Sequence, residues 1–215
     1  MIERAIDILF PPQCAACDRV GSGLCADCAP PPGAAVAFAL NGLPCAALGP
    51  YDGALRTAVL ACKHGRRDVV ETLARLIAAR FGLRLAELRS TLVPVPTTRV
   101  RRKERGFDQG VLLATSIARR LGIPVAAVLE HVAGHPQHGR NRAARLDSAN
   151  RFRCLDVRAV AGQAVVIVDD VATTGATLRD AAATLAHAGA HLLGALVVAR
   201  ADDERIGSQS SRVLA

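Results

Sequence analysis

Between residues 53 and 198 the chain alternates two kinds of apolar pattern, and this alternation restricts its fold more than any other feature. Runs of strand length occur at 92–95 (LVPV), 124–129 (PVAAVL), 164–168 (AVVIV) and 192–198 (LLGALVV). Longer patterns with helical spacing lie at about 53–62, 69–81, 109–121 and 176–188. The short runs are apolar at successive positions, so both faces of each strand must be covered. Strands of that kind, separated by helices, pair in parallel with helices on either side. The fold class is therefore α/β. Asp68 followed by Glu71 resembles a capping box opening the second helix, with Val69, Val70, Leu73, Leu76 and Ile77 on its buried face and Gly82 as its stop. Gly122 and Gly189 end the later helices in the same way.

The third apolar run leads directly into VVIVDDVATTGATL, residues 165–178. In an open parallel sheet, ligands bind beyond the carboxyl ends of the strands. Asp169 and Asp170 stand at such an end. The turn after them (Ala172, Thr173, Thr174, Gly175, Ala176 and Thr177) feeds a helix N-terminus, where free N–H groups attract an anion such as a phosphate. The threonines add hydroxyl donors, and Gly175 lets the backbone come close to a ligand. Two carboxylates beside a phosphate cradle would repel the phosphate itself. They must address hydroxyl donors, a divalent cation or both on the same ligand, and a sugar phosphate with a vicinal diol meets that requirement. Two acids capping one helix, or a phosphoacceptor or two-metal site, are the competing readings.

Seven cysteines are an odd number for a disulfide framework. Four of them form Cys14-x-x-Cys17 and Cys25-x-x-Cys28, separated by DRVGSGL. Each pair can form a knuckle, and two knuckles complete the tetrahedral four-sulfur geometry of structural Zn²⁺; redox disulfides are the alternative. Cys45, Cys62 and Cys154 stand alone in apolar surroundings and read as core residues. His131, His135 and His138 share no helical face, because Gly134 and Pro136 interrupt them. The proline-rich start of Ala29–Cys45 reads as a hinge, giving a zinc module and hinge over 1–45, a main domain over 46–205 and a flexible tail over 206–215. Ile2, Ile6, Leu9 and Phe10 place a short amphipathic helix at the N-terminus. No apolar stretch reaches the roughly 20 residues of a membrane span, and Glu3 and Asp7 stand where a signal peptide carries basic charge, so the expectation is a cytoplasmic protein without membrane insertion.

The formal net charge is +8, and all but two of the 27 basic residues are Arg. Coding bias toward Arg is one reading of this; a polyanion partner is the other. The clustering of five basic residues within 99–105 and six Arg within 140–158 favours an anion site, because guanidinium pairs bidentately with phosphate.

The block VVIVDDVATTGAT resembles the phosphoribosyl pyrophosphate (PRPP) signature of type I phosphoribosyltransferases. With the four-cysteine N-terminus, YDGALRTAVLACKHG from Tyr51 and LVPVPTTRVRRKERGFDQ from Leu92, the chain resembles the ComF family of competence-associated proteins over roughly residues 10–200. The resemblance implies that Asp169 and Asp170 hold the ribose hydroxyls and that residues 173–177 cradle the 5-phosphate. It implies further that the turn around Pro96 and Thr97 faces the pyrophosphate with Mg²⁺. The loop at 99–106 would be a mobile cover, with Arg101, Arg102, Lys103 and Arg105 as pyrophosphate contacts. A phosphoribosyl transferase activity releasing pyrophosphate follows, or, alternatively, a non-catalytic protein that binds single-stranded DNA during DNA uptake. Asp108 stands where the family has Asn in RGFNQ, and a later family pattern survives only as Gln137 and Arg145, with Ser148 near the expected Asn.

Overall fold

The computed structural model describes residues 11–132 and 151–201. The N-terminal amphipathic segment, His135, Gln137, His138, Arg145, Ser148 and the C-terminal tail lie outside that range. Strands β1 (Val36–Leu40), β2 (Leu43–Pro50), β3 (Thr91–Pro94), β6 (Ala164–Ala172) and β7 (His191–Arg200) form one sheet in the order β1-β2-β7-β6-β3. Pairing is parallel from β2 through β7 and β6 to β3, and only the edge strand β1 runs antiparallel, against β2. A separate two-stranded ribbon joins β4 (Leu129–His131) to β5 (Phe152–Cys154).

Alternation along β6 shows why the sheet is covered twice. Val166 and Val168 pack with α1 (Gly53–Lys63), α2 (Arg67–Glu87) and α4 (Gln109–Leu121), whereas Val165 and Ile167 pack with α5 (Ala176–His187). All four valine and isoleucine side chains are buried. Each such burial stabilises the fold by roughly 1.5–3 kcal/mol relative to an exposed side chain. Among the described residues no helix is long and apolar enough to cross a membrane.

Several sequence expectations change in detail. Helix α2 starts at Arg67 with no side-chain cap; Asp68 takes the Arg66 guanidinium at 2.6 and 2.8 Å instead, and Glu71 reaches Arg119 and Arg120 of α4. There is no capping box. Nor does Gly82 stop the helix, which runs on to Glu87; a Cβ there would meet the Leu121 side chain at 2.6 Å, so Gly82 lets α2 and α4 approach. The run 124–129 is not a strand of the sheet, because Val125 makes only one bridge to Leu92 and Pro124 has no N–H to donate. Inside the proline-started stretch 29–45, Val36–Leu40 pairs with β2 through a tight Asn41–Gly42 turn, both residues at positive φ. The basic segment 99–105 is not a loop but a helix, α3 (Arg99–Arg105), opened by the Thr98 hydroxyl and ended by left-handed Gly106.

The N-terminal cysteine segment docks on the start of α2. Leu24 and Cys14 are buried in the same apolar cluster as Val69, Val70 and Leu73. Gly23 lies against the backbone of Asp68 and Val69, where a Cβ would come within 2.8 Å. Arg66 donates to the Gln13 carbonyl at 2.5 Å. The turn between α1 and α2 therefore touches three places: Arg66 holds the cysteine segment, Arg67 lies over the Phe107 ring at 4.9 Å, and Lys63 points toward the C-terminal end of β6.

Candidate functional site

Beyond the carboxyl ends of β3 and β6 lies a cleft of about 430 Å³. Its floor is the acidic pair. β6 extends to Ala172, past the end expected at residue 168, so Asp169 and Asp170 sit within the last turn of regular pairing. Asp169 accepts from the Asp170 N–H at 2.8 Å, and Asp170 accepts from the Val171 N–H at 2.7 Å. Following the pleat, Asp170 falls on the face of α1 and α4. There it lies 3.7 Å from Lys63 Nζ and accepts from Gln109 Nε2 at 3.3 Å. Burial, and after it the neighbouring charge of Asp170, hold the Asp169 carboxyl well above the usual carboxylate range.

One wall is the threonine turn. Gly175, at φ 73°, caps α5 with no side chain of its own; apart from the Ala176 N–H, which meets the Thr174 hydroxyl, the leading N–H groups of that helix are left available to an anion. Thr173 and Thr177 line the cleft. Ala172 is buried, Gly175 packs against Leu40, and the Thr174 hydroxyl takes the Ala176 N–H at 3.4 Å. Arg151 reaches over this turn, donating to the Thr177 hydroxyl at 3.3 Å and pairing with Asp180 at 3.1 Å. It adds positive charge where the helix dipole is already positive.

The opposite wall comes from Pro96, Thr97 and α3. Arg101 and Arg105 line the cleft. Arg102 instead borders a neighbouring cavity with Arg99, Glu130 and Leu155, and Lys103 is exposed and lines neither. Asp108, the departure from the family asparagine, accepts from the N–H groups of Thr97 and Val111 at 3.0 and 3.2 Å. It thus ties the Pro96–Thr97 turn to the start of α4. At its other end α3 is held by Arg99, which shares Glu130 with Arg153.

Tyr51, Lys63, Gln109 and Arg151 also line the cleft; the first three fall inside the motif blocks that begin at Tyr51 and Leu92, but the sequence assigns none of the four a role. Lys63 had a signal, being one of two lysines in an Arg-based chain. His131 also borders the cleft, with its ring 4.7 Å from Phe152, and burial holds its pKa below the usual imidazole range.

The four N-terminal cysteines form a second constellation. Their sulfur atoms all lie within 4.8 Å of one another, and Cys17 and Cys25 are 3.6 Å apart. A tetrahedron with metal–sulfur bonds of about 2.3 Å has edges of about 3.8 Å, so the donor set fits an ion such as zinc. Burial pushes the Cys14 thiol up, but backbone N–H groups led by that of Cys25 outweigh it and bring the pKa down to about 6. Shared hydrogen bonds with Cys17 and Cys25 push Cys28 up to about 12. The cluster thus favours ionisation at Cys14 and opposes it at Cys28. Cys45 and Cys62 are buried in the core and Cys154 partly so, apart from this cluster.

Comparison with known proteins agrees with this arrangement. The phosphoribosyl transferase domain family matches residues 108–211, a range that includes the acidic pair and the threonine turn. The chain is 29% identical over 126 residues to the competence protein ComFC of Bacillus subtilis, covering 59% of this chain and 50% of that protein. It is 30% identical over 138 residues to competence protein F of Haemophilus influenzae, covering 60% of each. Over 95 residues it is 39% identical to an adenine phosphoribosyltransferase of Mycolicibacterium smegmatis, covering 43% of this chain and 53% of that enzyme. The chain spans about half to three fifths of the length of these curated relatives.

The raised pKa of Asp169 makes folding stability depend on pH. The unfolded group titrates near about 3.9, so the folded state prefers the protonated form; stability is full below that value and declines as pH rises through the folded pKa. Asp169→Asn removes this decline. Thermal melts across a pH series are expected to show the variant gaining on the wild type as pH rises above the ordinary carboxylate value, until the folded Asp169 has ionised. A melting-temperature difference constant across the series would contradict the assignment.

Proposed function

The chain belongs to the ComF family, a phosphoribosyl transferase-type domain joined to a four-cysteine module, and from that premise we propose that its cleft binds PRPP with Mg²⁺ and transfers the phosphoribosyl group to an acceptor. The observation that carries this reading is the meeting of three groups in one cleft: an acidic pair, a glycine-capped helix N-terminus and a basic helix. The 5-phosphate fits the threonine turn under Arg151. The ribose diol fits the carboxylates, which accept hydroxyl hydrogen bonds. The pyrophosphate falls toward Thr97, Arg101 and Arg105. Hard carboxylate oxygens at Asp169 and Asp170 suit Mg²⁺, which when bound supplies charge neutralisation for phosphate oxygens.

Transfer breaks the bond between C1 and the pyrophosphate oxygen, with its electron pair leaving on pyrophosphate, and forms a bond from C1 to the acceptor nucleophile. The chain contributes position and field: it fixes the sugar at both ends and places Arg101 and Arg105 where the leaving charge develops. The four cysteines hold structural zinc that fastens the N-terminal segment onto α2.

A second reading has its own observation. Arg102 and Lys103 lie outside the cleft on an exposed helix, in a chain of formal charge +8. That surface suits the backbone of single-stranded DNA, and it accords with relatives named as competence and DNA utilization proteins. Six aromatic residues, none of them Trp, offer little for base stacking.

Calorimetry with PRPP and Mg²⁺ is expected to show binding to the wild type and at least about tenfold weaker binding to the double variant Asp169→Asn, Asp170→Asn, a loss of about 1.4 kcal/mol or more. Equal affinities would end the sugar-phosphate reading. Elemental analysis should find about one zinc per chain, lost together with several degrees of melting temperature in Cys14→Ser, Cys25→Ser; a metal-free protein that melts like the wild type would refute the zinc role. For DNA, replacing Arg102 and Lys103 with Ala should lower the slope of log affinity against log salt by roughly 0.7 per lost phosphate contact on single strands. An unchanged slope would remove this surface from DNA binding.

A further inference from the structure

Gln109 stands between the two ends of the cleft. It is the first residue of α4, is 5% exposed, and has both ends of its amide engaged. Oε1 accepts from Arg105 Nη1 at 3.0 Å, and Nε2 donates to Asp170 Oδ2 at 3.3 Å. A guanidinium has only donors and an ionised carboxylate only acceptors. The side chain joining them must therefore accept on one atom and donate from another. Glutamate could serve only Arg105, and lysine only Asp170.

The frame behind this amide is rigid. Asp108 accepts from the N–H groups of Thr97 and Val111, pinning the residue before it to the Pro96–Thr97 turn. Gly110, the residue after it, lies so close to the end of β3 that a Cβ would sit 2.1 Å from the Val95 carbonyl oxygen. Gln109 cannot shift without moving both the strand end and the turn. Lys63 Nζ meets the same carboxylate oxygen at 3.7 Å. The outer oxygen of Asp170 is thus oriented by one neutral donor and one cation.

We propose that Gln109 is a positioning residue that ties the basic helix α3 to the acid of the ribose end, so that the pyrophosphate and ribose ends of the cleft are set together. This rests on the sugar-phosphate reading of the cleft. Arg105 is held facing the cleft, and Asp170 presents its carboxylate at a fixed angle, through one shared amide.

Two arms test it on the full chain. Without ligand, α3 contains five trypsin sites in seven residues, so cleavage mapped to 99–105 by mass spectrometry reports its release. Gln109→Met is expected to raise that cleavage rate about fivefold, as the open form becomes more populated, whereas Gln109→Glu, which still accepts from Arg105, stays near the wild type. With ligand, ribose 5-phosphate and Mg²⁺-pyrophosphate are titrated separately. Gln109→Met should weaken both by about tenfold, and Gln109→Glu should weaken ribose 5-phosphate by about tenfold while leaving pyrophosphate within about threefold. That split is one a purely structural role would not produce. Unchanged cleavage and affinities in Gln109→Met, or parallel losses in both variants that follow a lowered melting temperature, would overturn the proposal. Failure of the wild type to bind either ligand would instead sink the reading of the cleft.

Discussion

Two carboxylates crowded at the end of a buried strand are the constraint around which the cleft is arranged. Valines and an isoleucine covered on both faces carry β6 to that point, so the acids emerge directly from a fully buried stretch of strand. Their mutual repulsion and lost hydration are relieved only in part within the strand, by the N–H groups of Asp170 and Val171. The rest comes from elsewhere in the fold: Lys63 from the end of α1 and the Gln109 amide from the start of α4. Each of these supports depends on a different packing contact, which is why the site needs the whole sheet-and-helix frame.

The same logic separates the two constellations of the chain. The four-cysteine segment has little core of its own: Leu24 and Cys14 become buried only by packing on α2. Its internal order comes from sulfur donors, and its placement from Gly23 and Arg66. The cleft gains its order from strand pairing and helix packing.

The α/β class, the parallel pairing and the positions of four helices were legible from the apolar patterns, because burial on two faces leaves a continuous apolar run that little else produces. The acidic pair and the threonine turn were legible because strand, acids and turn follow each other without interruption in the chain. The basic helix was misread as a loop, since RVRRKER has no apolar face to reveal a helical period; its ends are set by Thr98 and Gly106. The capping box failed because Asp68 found a stronger partner in Arg66, and Gly82 misled because a glycine that permits close helix packing looks the same in sequence as one that ends a helix. The roles of Lys63, Gln109 and Arg151 were not legible for another reason: Lys63 and Gln109 stand inside recognisable blocks, but all three meet the acids or the turn only through tertiary packing from distant segments.

The connection from Lys63 to Arg67 gives the chain an architectural peculiarity. Five consecutive residues supply a neighbour for Asp170, a clasp for the cysteine segment and a platform over Phe107 at the foot of the basic helix. Three parts that look modular in the sequence thus share one keystone. An N-terminal segment borrowed from another protein would keep this seat only if its receiving turn were transplanted along with it.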